Sequence, residues 1–228
     1  MNRLILAIRF LRRDSRSGEL NLLMMALILA VASSTAISVF ANRINRTMNY
    51  QAAEFLAADL VMSSSEPVNK NILETADKAG LKQSQTSEFS SVLMENDEFL
   101  LVGIKAVSAN YPLHGYLKIR QETYAQEQKV YHGPKPGEVW VEARILSALH
   151  LKLGDPVMVG EQNLLISHVI TYEPDKRGDL YSLSPRVMIN DADLEATQVL
   201  KPGSHVHYFF QFSGSAQALT KFSRWVKP

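Results

Sequence analysis

The sequence lacks cysteine altogether, and it lacks the short motifs that mark the common enzyme classes. The absence of cysteine excludes disulfides, thiolate metal sites and cysteine nucleophiles. No G-x-x-x-x-G-K-[ST] phosphate loop is present, and the prolines at 133–137 remove the backbone amides that would cradle a phosphate. No G-x-S-x-G nucleophile elbow occurs either. We therefore predict that the chain is not an enzyme, does not hydrolyse ATP itself and binds no cofactor.

Metal-binding patterns are equally scarce. His205 and His207 are two residues apart, so they lie on one face of a predicted strand and are a candidate pair of metal ligands. No third ligand stands at a recognisable spacing, which favours a half-exposed strand face and predicts no metal site. The charged stretch from Asp175 to Asp179 is interpreted as a solvated turn, with a partner-contact loop as the alternative.

The charge of the chain is small overall but unevenly distributed. The net charge is +1, yet residues 1–19 contain five arginines and only two acidic residues, so the remainder is slightly acidic. A strongly basic domain face is therefore missing, and we predict no nucleic-acid partner.

Residues 20–42 are uncharged and predict a transmembrane helix. At a rise of about 1.5 Å per residue they span about 34 Å, enough for a hydrocarbon core of about 30 Å. Most of the nearby arginines precede the segment, which places the N-terminus in the cytoplasm and the rest outside. A cleaved signal peptide is the alternative; the apolar run continues past the candidate cleavage site at Ala30–Ala32, which favours a retained helix.

Two further features surround this segment. Ala26, Ala30, Ser34 and Ser38 recur every four residues, and such a small-residue face allows another helix to approach closely. Residues 1–19 are predicted to form an amphipathic segment on the cytoplasmic leaflet, with an apolar side and a basic side that contacts membrane lipid. The arginines that form this membrane-interface side are Arg9, Arg12, Arg13 and Arg16.

The extramembrane part is predicted to be α+β. Residues 43–58 extend the helix, because no glycine or proline interrupts them. A strand and helix at 59–80 are matched by a strand and helix at 205–226, and this repetition predicts a split βαβ lobe built from 59–111 and 204–228.

Residues 112–203 form a β-rich inserted periplasmic lobe, and residues 111–137, which are rich in turn residues, are interpreted as a lobe boundary or long loop. Strands are predicted at about 88–94 and 99–107, joined by a turn at 95–98, and at 186–190, and a hairpin is predicted from 156–159 and 164–171 around a turn at 160–163. In the last helix, Leu219, Phe222 and Val226 are predicted to face inward. The split lobe is incomplete as predicted, so we expect an N-terminal portion of a longer protein or a truncated product.

Eight segments have a pattern that is typical of one known family: 6–14, 17–20, 29–33, 53–64, 102–107, 111–115, 141–146 and 153–155. With them the chain resembles MacB/FtsX-type ABC transporter permeases, and within that group the YbbP-type branch. Nearly the whole chain takes part in the resemblance, although none of its motifs is catalytic.

The resemblance implies an inner-membrane permease subunit that works with a separate, cognate ABC ATPase. It also implies further permease helices or a second permease copy, and mechanotransmission that moves lipophilic or lipoprotein-type substrates in the periplasm. The chain departs from the family because the further transmembrane helices are missing. Two other hypotheses remain open: a signal-anchored periplasmic sensory or binding protein with no transport role, and an exported enzyme with a cleaved signal.

Overall fold

One long helix and a ten-stranded sheet dominate the computed structural model, which describes residues 19–95, 97–122, 125–176, 184–200 and 204–226. For residues 19–20 and 45–55 only the helical backbone is described. The chain divides into two compact units, Met1–Tyr50 and Gln51–Pro228. The predicted amphipathic segment, with its four membrane-interface arginines, lies outside the described residues.

Helix α1 runs from Glu19 to Phe55 and includes the predicted transmembrane segment. Within it, Asn21–Ile44 is long and apolar enough to cross a membrane, with a mean hydropathy of 2.2, and none of the large apolar side chains of this stretch is buried. A helix that exposes its apolar side chains all round requires an apolar solvent. The four small residues predicted to pack against another helix all lie on this exposed stretch.

The described part of the second unit contains the sheet and three further α-helices. The strands are β1 Leu60–Ser64, β2 Lys82–Glu95, β3 Glu98–Val107, β4 Leu117–Arg120, β5 Gln128–Val130, β6 Glu138–Val141, β7 Pro156–Val159, β8 Gln162–Tyr172, β9 Arg186–Asn190 and β10 His207–Ser213. The α-helices are α2 Lys70–Lys78, α3 Ala143–Ala148 and α4 Ala216–Val226, and a 3₁₀ turn covers Asp191–Asp193.

The strand order confirms the predicted α+β fold class. Neighbouring strands follow the order β1-β10-β2-β3-β9-β6-β8-β4-β5, with β7 paired to β8. Strand β10 lies between β1 and β2 and is antiparallel to both, while α2 connects β1 to β2. This is a split βαβ arrangement. A single sheet joins the predicted split lobe to the predicted insertion, and the division between them at 112 and 203 stays a prediction.

Successive side chains of β3 point to opposite faces of the sheet, so its buried residues belong to apolar clusters on both faces. Val102, Ile104 and Ala106 face the largest apolar cluster, which also contains side chains from β2, β6, β7, β8, β9 and α3. Helices α2 and α4 pack with β1 and β10 around Phe210 and Phe212 in a second cluster. The residues between these positions on β3 point to the opposite face, where a third cluster contains Val107.

Two sequence expectations about strands need correction. The segment 111–137, interpreted as a long loop or boundary, contains the short strands β4 and β5. Strand β2 begins at Lys82 rather than near Glu88, because its polar first half pairs with β10 throughout and, from Thr86 onward, with β3 as well. Ser84, Thr86 and Ser87 are consequently buried in spite of their polarity.

Candidate functional site

The most unusual feature of the second unit is a lysine at the centre of the sheet. Lys105 lies in the buried second half of β3, between the apolar residues Ile104 and Ala106, and its side chain is 0% exposed. An unpaired ammonium in such surroundings would cost several kcal/mol. The surrounding side chains must therefore supply its compensation.

Three carboxylates and a second cation surround this lysine. The Lys105 Nζ lies 2.5 Å from an Asp175 oxygen, 3.4 Å from Glu173 and 3.5 Å from Glu88. The guanidinium of Arg186 on β9 reaches the same two glutamates, with its Nε 2.9 Å from Glu173 and its Nη1 3.6 Å from Glu88. We call these five residues the ionic network. Its formal charge is −1, so it also needs neutral donors.

Two neutral side chains complete the network. The Tyr111 hydroxyl donates a 2.5 Å hydrogen bond to Asp175 and accepts one of 3.0 Å from Lys105. The amide of Gln211, on β10, donates to the other oxygen of Asp175 at 3.1 Å. Asp175 therefore receives hydrogen bonds from three directions, which fixes its position within the core.

The pKa shifts in this cluster favour the charged forms of its two central residues. Burial alone would raise the pKa of Asp175, but the adjacent Lys105 ammonium and the hydrogen bonds from Lys105 and Tyr111 together outweigh burial and hold that pKa below its usual value. Burial would likewise lower the pKa of Lys105, but the carboxylates, with Asp175 first, raise it. Burial and the nearby carboxylates raise the pKa of Tyr111 far above its usual value, which keeps its hydroxyl protonated as a donor. Close opposite charges thus outweigh desolvation here.

The interpretation of 175–179 as a solvated turn is wrong at its first residue. Asp175 is drawn into the core because Lys105, Tyr111 and Gln211 all bond to it. The next residue, Lys176, pairs with Glu142. Residues 177–179 lie outside the described residues. Sequence spacing gave no signal of this contact, because Asp175 and Lys105 are 70 positions apart.

Gln211 also links the ionic network to the residues that directly follow α1. The Gln211 amide donates to the carbonyl of Leu56 at 3.4 Å as well as to Asp175. The backbone amide of His114 donates to the carbonyl of Ala57 at 2.9 Å, and Ala57 itself is fully buried with a φ of 55°. A positive φ is uncommon for an alanine, so these contacts hold a turn that the chain alone would disfavour.

A second polar cluster holds Asp59, at the end of this turn. One oxygen of Asp59 accepts hydrogen bonds from the Ser213 hydroxyl at 2.8 Å and the Gly214 amide at 3.2 Å, and it lies 2.9 Å from His114 Nε2. Burial raises the pKa of Asp59, but the bonds from His114 and Ser213 outweigh burial and lower it. We call residues 56–59 with Gln211, Ser213 and His114 the exit joint.

The serine, histidine and aspartate of the exit joint do not have the geometry of a hydrolytic triad. In a triad the serine and the aspartate bond to opposite nitrogens of the imidazole ring. Here both lie at the same nitrogen, Nε2 of His114, and the serine gives its proton to Asp59. The arrangement therefore ties three segments of the chain together rather than activating a nucleophile.

The histidines singled out from the sequence do not converge. The rings of His205 and His207 are edge to face, with centroids 5.8 Å apart. Among the described residues, no group of three or more His, Cys, Asp or Glu side chains is placed to hold a metal ion. The ionic network and the exit joint are two polar sites assembled by the described residues, and the sequence patterns predicted neither of them.

Comparison with known proteins shows that this chain is similar to a transporter subunit. Over 220 residues, or 96% of its length, the chain is 32% identical to the uncharacterised ABC transporter permease YbbP of Escherichia coli K12. The chain is a relative of ABC transporter permeases. The predicted resemblance is thereby confirmed, and the apolar stretch of α1 is a candidate membrane span. The matched region spans about a quarter of that permease, 26% of its length. No family model matches.

Two solved domains of noncanonical and MacB-type transporters are also similar in structure. The extracellular domain of the ABC-type transporter YknZ, from Gram-positive bacteria, has a TM-score of 0.45 and 15% identity, covering 70% of this chain and 78% of that one. The periplasmic region of MacB from Actinobacillus actinomycetemcomitans has a TM-score of 0.47 and 10% identity, covering 77% and 86%.

Proposed function

We propose that this chain is the N-terminal part of an ABC transporter permease subunit, in which α1 is a membrane helix and the Gln51–Pro228 unit lies in the periplasm of a bacterial inner membrane. In this role, a separate cognate ATPase hydrolyses ATP, and the resulting movement of membrane helices is passed to the periplasmic unit. The kinship with a permease over 96% of the chain is the observation that supports this proposal most strongly.

The exit joint supports mechanical transmission in particular. A helix transmits displacement only if the residues that follow it are held firmly by the receiving domain. Residues 56–59 directly follow α1, and their carbonyls and side chains bond to β10 and to His114. Through Gln211 and Asp175 these bonds continue to Lys105 in the centre of the sheet. A force applied at Leu56 would therefore be transmitted to the sheet rather than absorbed by a flexible loop.

For the substrate we propose a chemical class rather than a particular molecule. We propose movement or export of lipophilic or lipoprotein-type molecules, in keeping with the family resemblance drawn from the sequence. The absence of cysteine, of phosphate loops and of a described metal cluster gives the chain no evident chemistry of its own, so its proposed role is to move a partner molecule rather than to modify it.

The coupling can be measured as a distance. Spin labels would be placed on cysteines introduced at Ile44 and Gln121, both exposed, in the cysteine-free chain purified with its ATPase in nanodiscs. We expect the distance distribution by double electron–electron resonance to shift between the nucleotide-free and the ATP–vanadate-trapped complex. Identical distributions in both states, with ATPase activity intact, would contradict mechanical coupling.

The small-residue face of α1 makes a separate prediction. We expect Ala30→Leu combined with Ser34→Leu to weaken association with other permease helices, since larger side chains hold the backbones apart. The matched control is Val31→Leu with Thr35→Leu, which has the same spacing but lies about 100° around the helix. In-membrane cross-linking should fall several-fold in the first variant and not in the second. Equal cross-linking in both would show that the face of Ala26, Ala30, Ser34 and Ser38 is incidental.

A further inference from the structure

The end of the β2–β3 hairpin exposes an apolar surface that the fold leaves uncovered. Val92 is directly opposite Leu101, and Met94 is directly opposite Phe99, so all four side chains lie on one face of the hairpin. Their exposed fractions are 51%, 56%, 54% and 70% respectively. We call these four residues the apolar tip. Contiguous exposed side chains of this size mark interaction surfaces, whereas isolated ones need no explanation.

The apolar tip is not the by-product of a poorly folded hairpin. On the opposite face of the same strands, Leu93 is fully buried and Leu100 packs against the largest apolar cluster. Toward the base of the hairpin the tip gives way to Ser90 and then to Glu88 and Lys105 of the ionic network. The apolar side chains are therefore held outward by a well-anchored strand pair.

Acidic residues form the rim of this surface. Glu95, Asp97 and Glu98 stand at the turn, and residues 88–104 contain no lysine or arginine. Asp97 and Glu98 are exposed, and Glu98 has His150 3.8 Å away. The apolar tip is thus bordered by negative charge, which restricts what can cover it.

We infer that the apolar tip is the docking surface for a protein partner whose own contact surface is apolar and flanked by lysine or arginine. Charge complementarity selects this occupant. An anionic membrane surface would repel the acidic rim, since that surface attracts basic segments. A second copy of the chain facing the same patch across a two-fold axis would bring like charges together. The inference rests on the tip alone and stands whether or not the proposed permease role is correct.

The test uses the full chain in zwitterionic nanodiscs and two synthetic probe peptides. One peptide alternates leucine with lysine, and the other alternates leucine with glutamate. We expect the lysine peptide to bind at least about tenfold more tightly than the glutamate peptide. Phe99→Ser with Leu101→Ser should weaken that binding about tenfold, as expected for the loss of two central contacts. Asp97→Asn with Glu98→Gln should weaken it several-fold and reduce its salt dependence.

The control variant is Trp225→Ser, which removes another half-exposed aromatic ring without touching the hairpin. It should leave binding unchanged, and thermal unfolding should show that each exposed-site variant remains folded. The inference is overturned if neither peptide binds, if the glutamate peptide binds as well, or if Phe99→Ser with Leu101→Ser has no effect. It is also overturned if the tip variants instead abolish self-association in sedimentation or binding to anionic vesicles. The distance measurement of ATP coupling does not involve this surface, so the two proposals can fail separately.

Discussion

Lys105→Met is expected to destabilise the Gln51–Pro228 unit by about 3–5 kcal/mol. Methionine fits the space, but it leaves Glu88, Glu173 and Asp175 with Arg186 as the one remaining cation of the ionic network. The cost arises from buried carboxylates that have lost their partner rather than from lost packing. The measurement is the shift in urea midpoint at constant m-value. Lys152→Met, at an exposed position, is the matched control and should change stability by no more than about 0.5 kcal/mol.

The pH dependence of this variant gives a second, more specific test. In the wild type the lowered pKa of Asp175 adds stability that is present above its unfolded value, near 3.8, and is lost as pH falls through the folded value. The raised pKa of Lys105 adds stability that is present below about 10.5 and is lost as pH rises through the folded value. Between pH 5 and 9 the network should therefore contribute a nearly constant stabilisation.

Without Lys105 the sign should reverse for Asp175. Burial then raises the pKa of Asp175, the folded state takes up protons more readily than the unfolded state, and stability increases as pH falls. We expect Lys105→Met to be more stable at pH 5 than at pH 8. A variant within 0.5 kcal/mol of the wild type, or one with an unchanged pH profile, would show that the ionic network does not stabilise the fold.

Phe212→Ala should cost a similar amount, about 3–5 kcal/mol, through a different mechanism. Phe212 is buried, and its ring lies 4.8 Å from that of Phe222 on α4, within the cluster that attaches α2 and α4 to β1 and β10. Removal of the ring leaves a cavity beneath both helices. Hydrogen exchange should accelerate most in α2 and α4, because their attachment depends on this cluster.

The control for the ring deletion is Trp225→Ala. Trp225 also lies beside Phe222, at 6.2 Å between centroids, but is 53% exposed. Its loss should cost less than half as much as Phe212→Ala. Equal losses, or uniform acceleration of exchange across the whole unit, would contradict the assignment of α2 and α4 to one cluster around Phe212.

Local patterns in the sequence were sufficient for much of the fold. The strand predicted at 186–190 has those bounds in the structure, and the hairpin of β7 and β8 turns where glycine and polar residues predicted. The inward positions Leu219, Phe222 and Val226 of α4 follow from helical spacing, and in the structure all three belong to the cluster around Phe210 and Phe212. These features depend on residues close together in the chain, which a periodic pattern can reveal.

The polar sites could not be predicted in the same way. The ionic network joins strands β2, β3 and β9 to a loop after β8, and the exit joint joins residues 56–59 to residues about 150 positions later. No local pattern encodes such pairings. One signal was present: Lys105 interrupts an otherwise apolar strand, and a charge at a buried position requires a partner elsewhere.

At the tip of the β2–β3 hairpin, the sequence pattern does not show that apolar strand residues are exposed. The run beginning at Phe99 was interpreted as an apolar strand, which is correct for its second half, where every residue from Val102 to Val107 is buried. Toward the turn, β2 and β3 extend beyond their other neighbours, and the outward side chains Phe99 and Leu101 remain exposed. Strand composition does not reveal where the partner strands stop.

The most direct test of the account is the location of each part of the chain relative to the membrane. Because the protein has no cysteine, Ser15→Cys and Gln121→Cys each provide a single label site. A membrane-impermeant maleimide would be applied to cells with a permeabilised outer membrane. The account predicts that the cysteine at 121 is labelled while the inner membrane is unbroken, whereas the cysteine at 15 is labelled only after the inner membrane is broken. Labelling of both before the inner membrane is broken, or of residue 15 alone, would contradict a retained helix that places the β-rich unit outside.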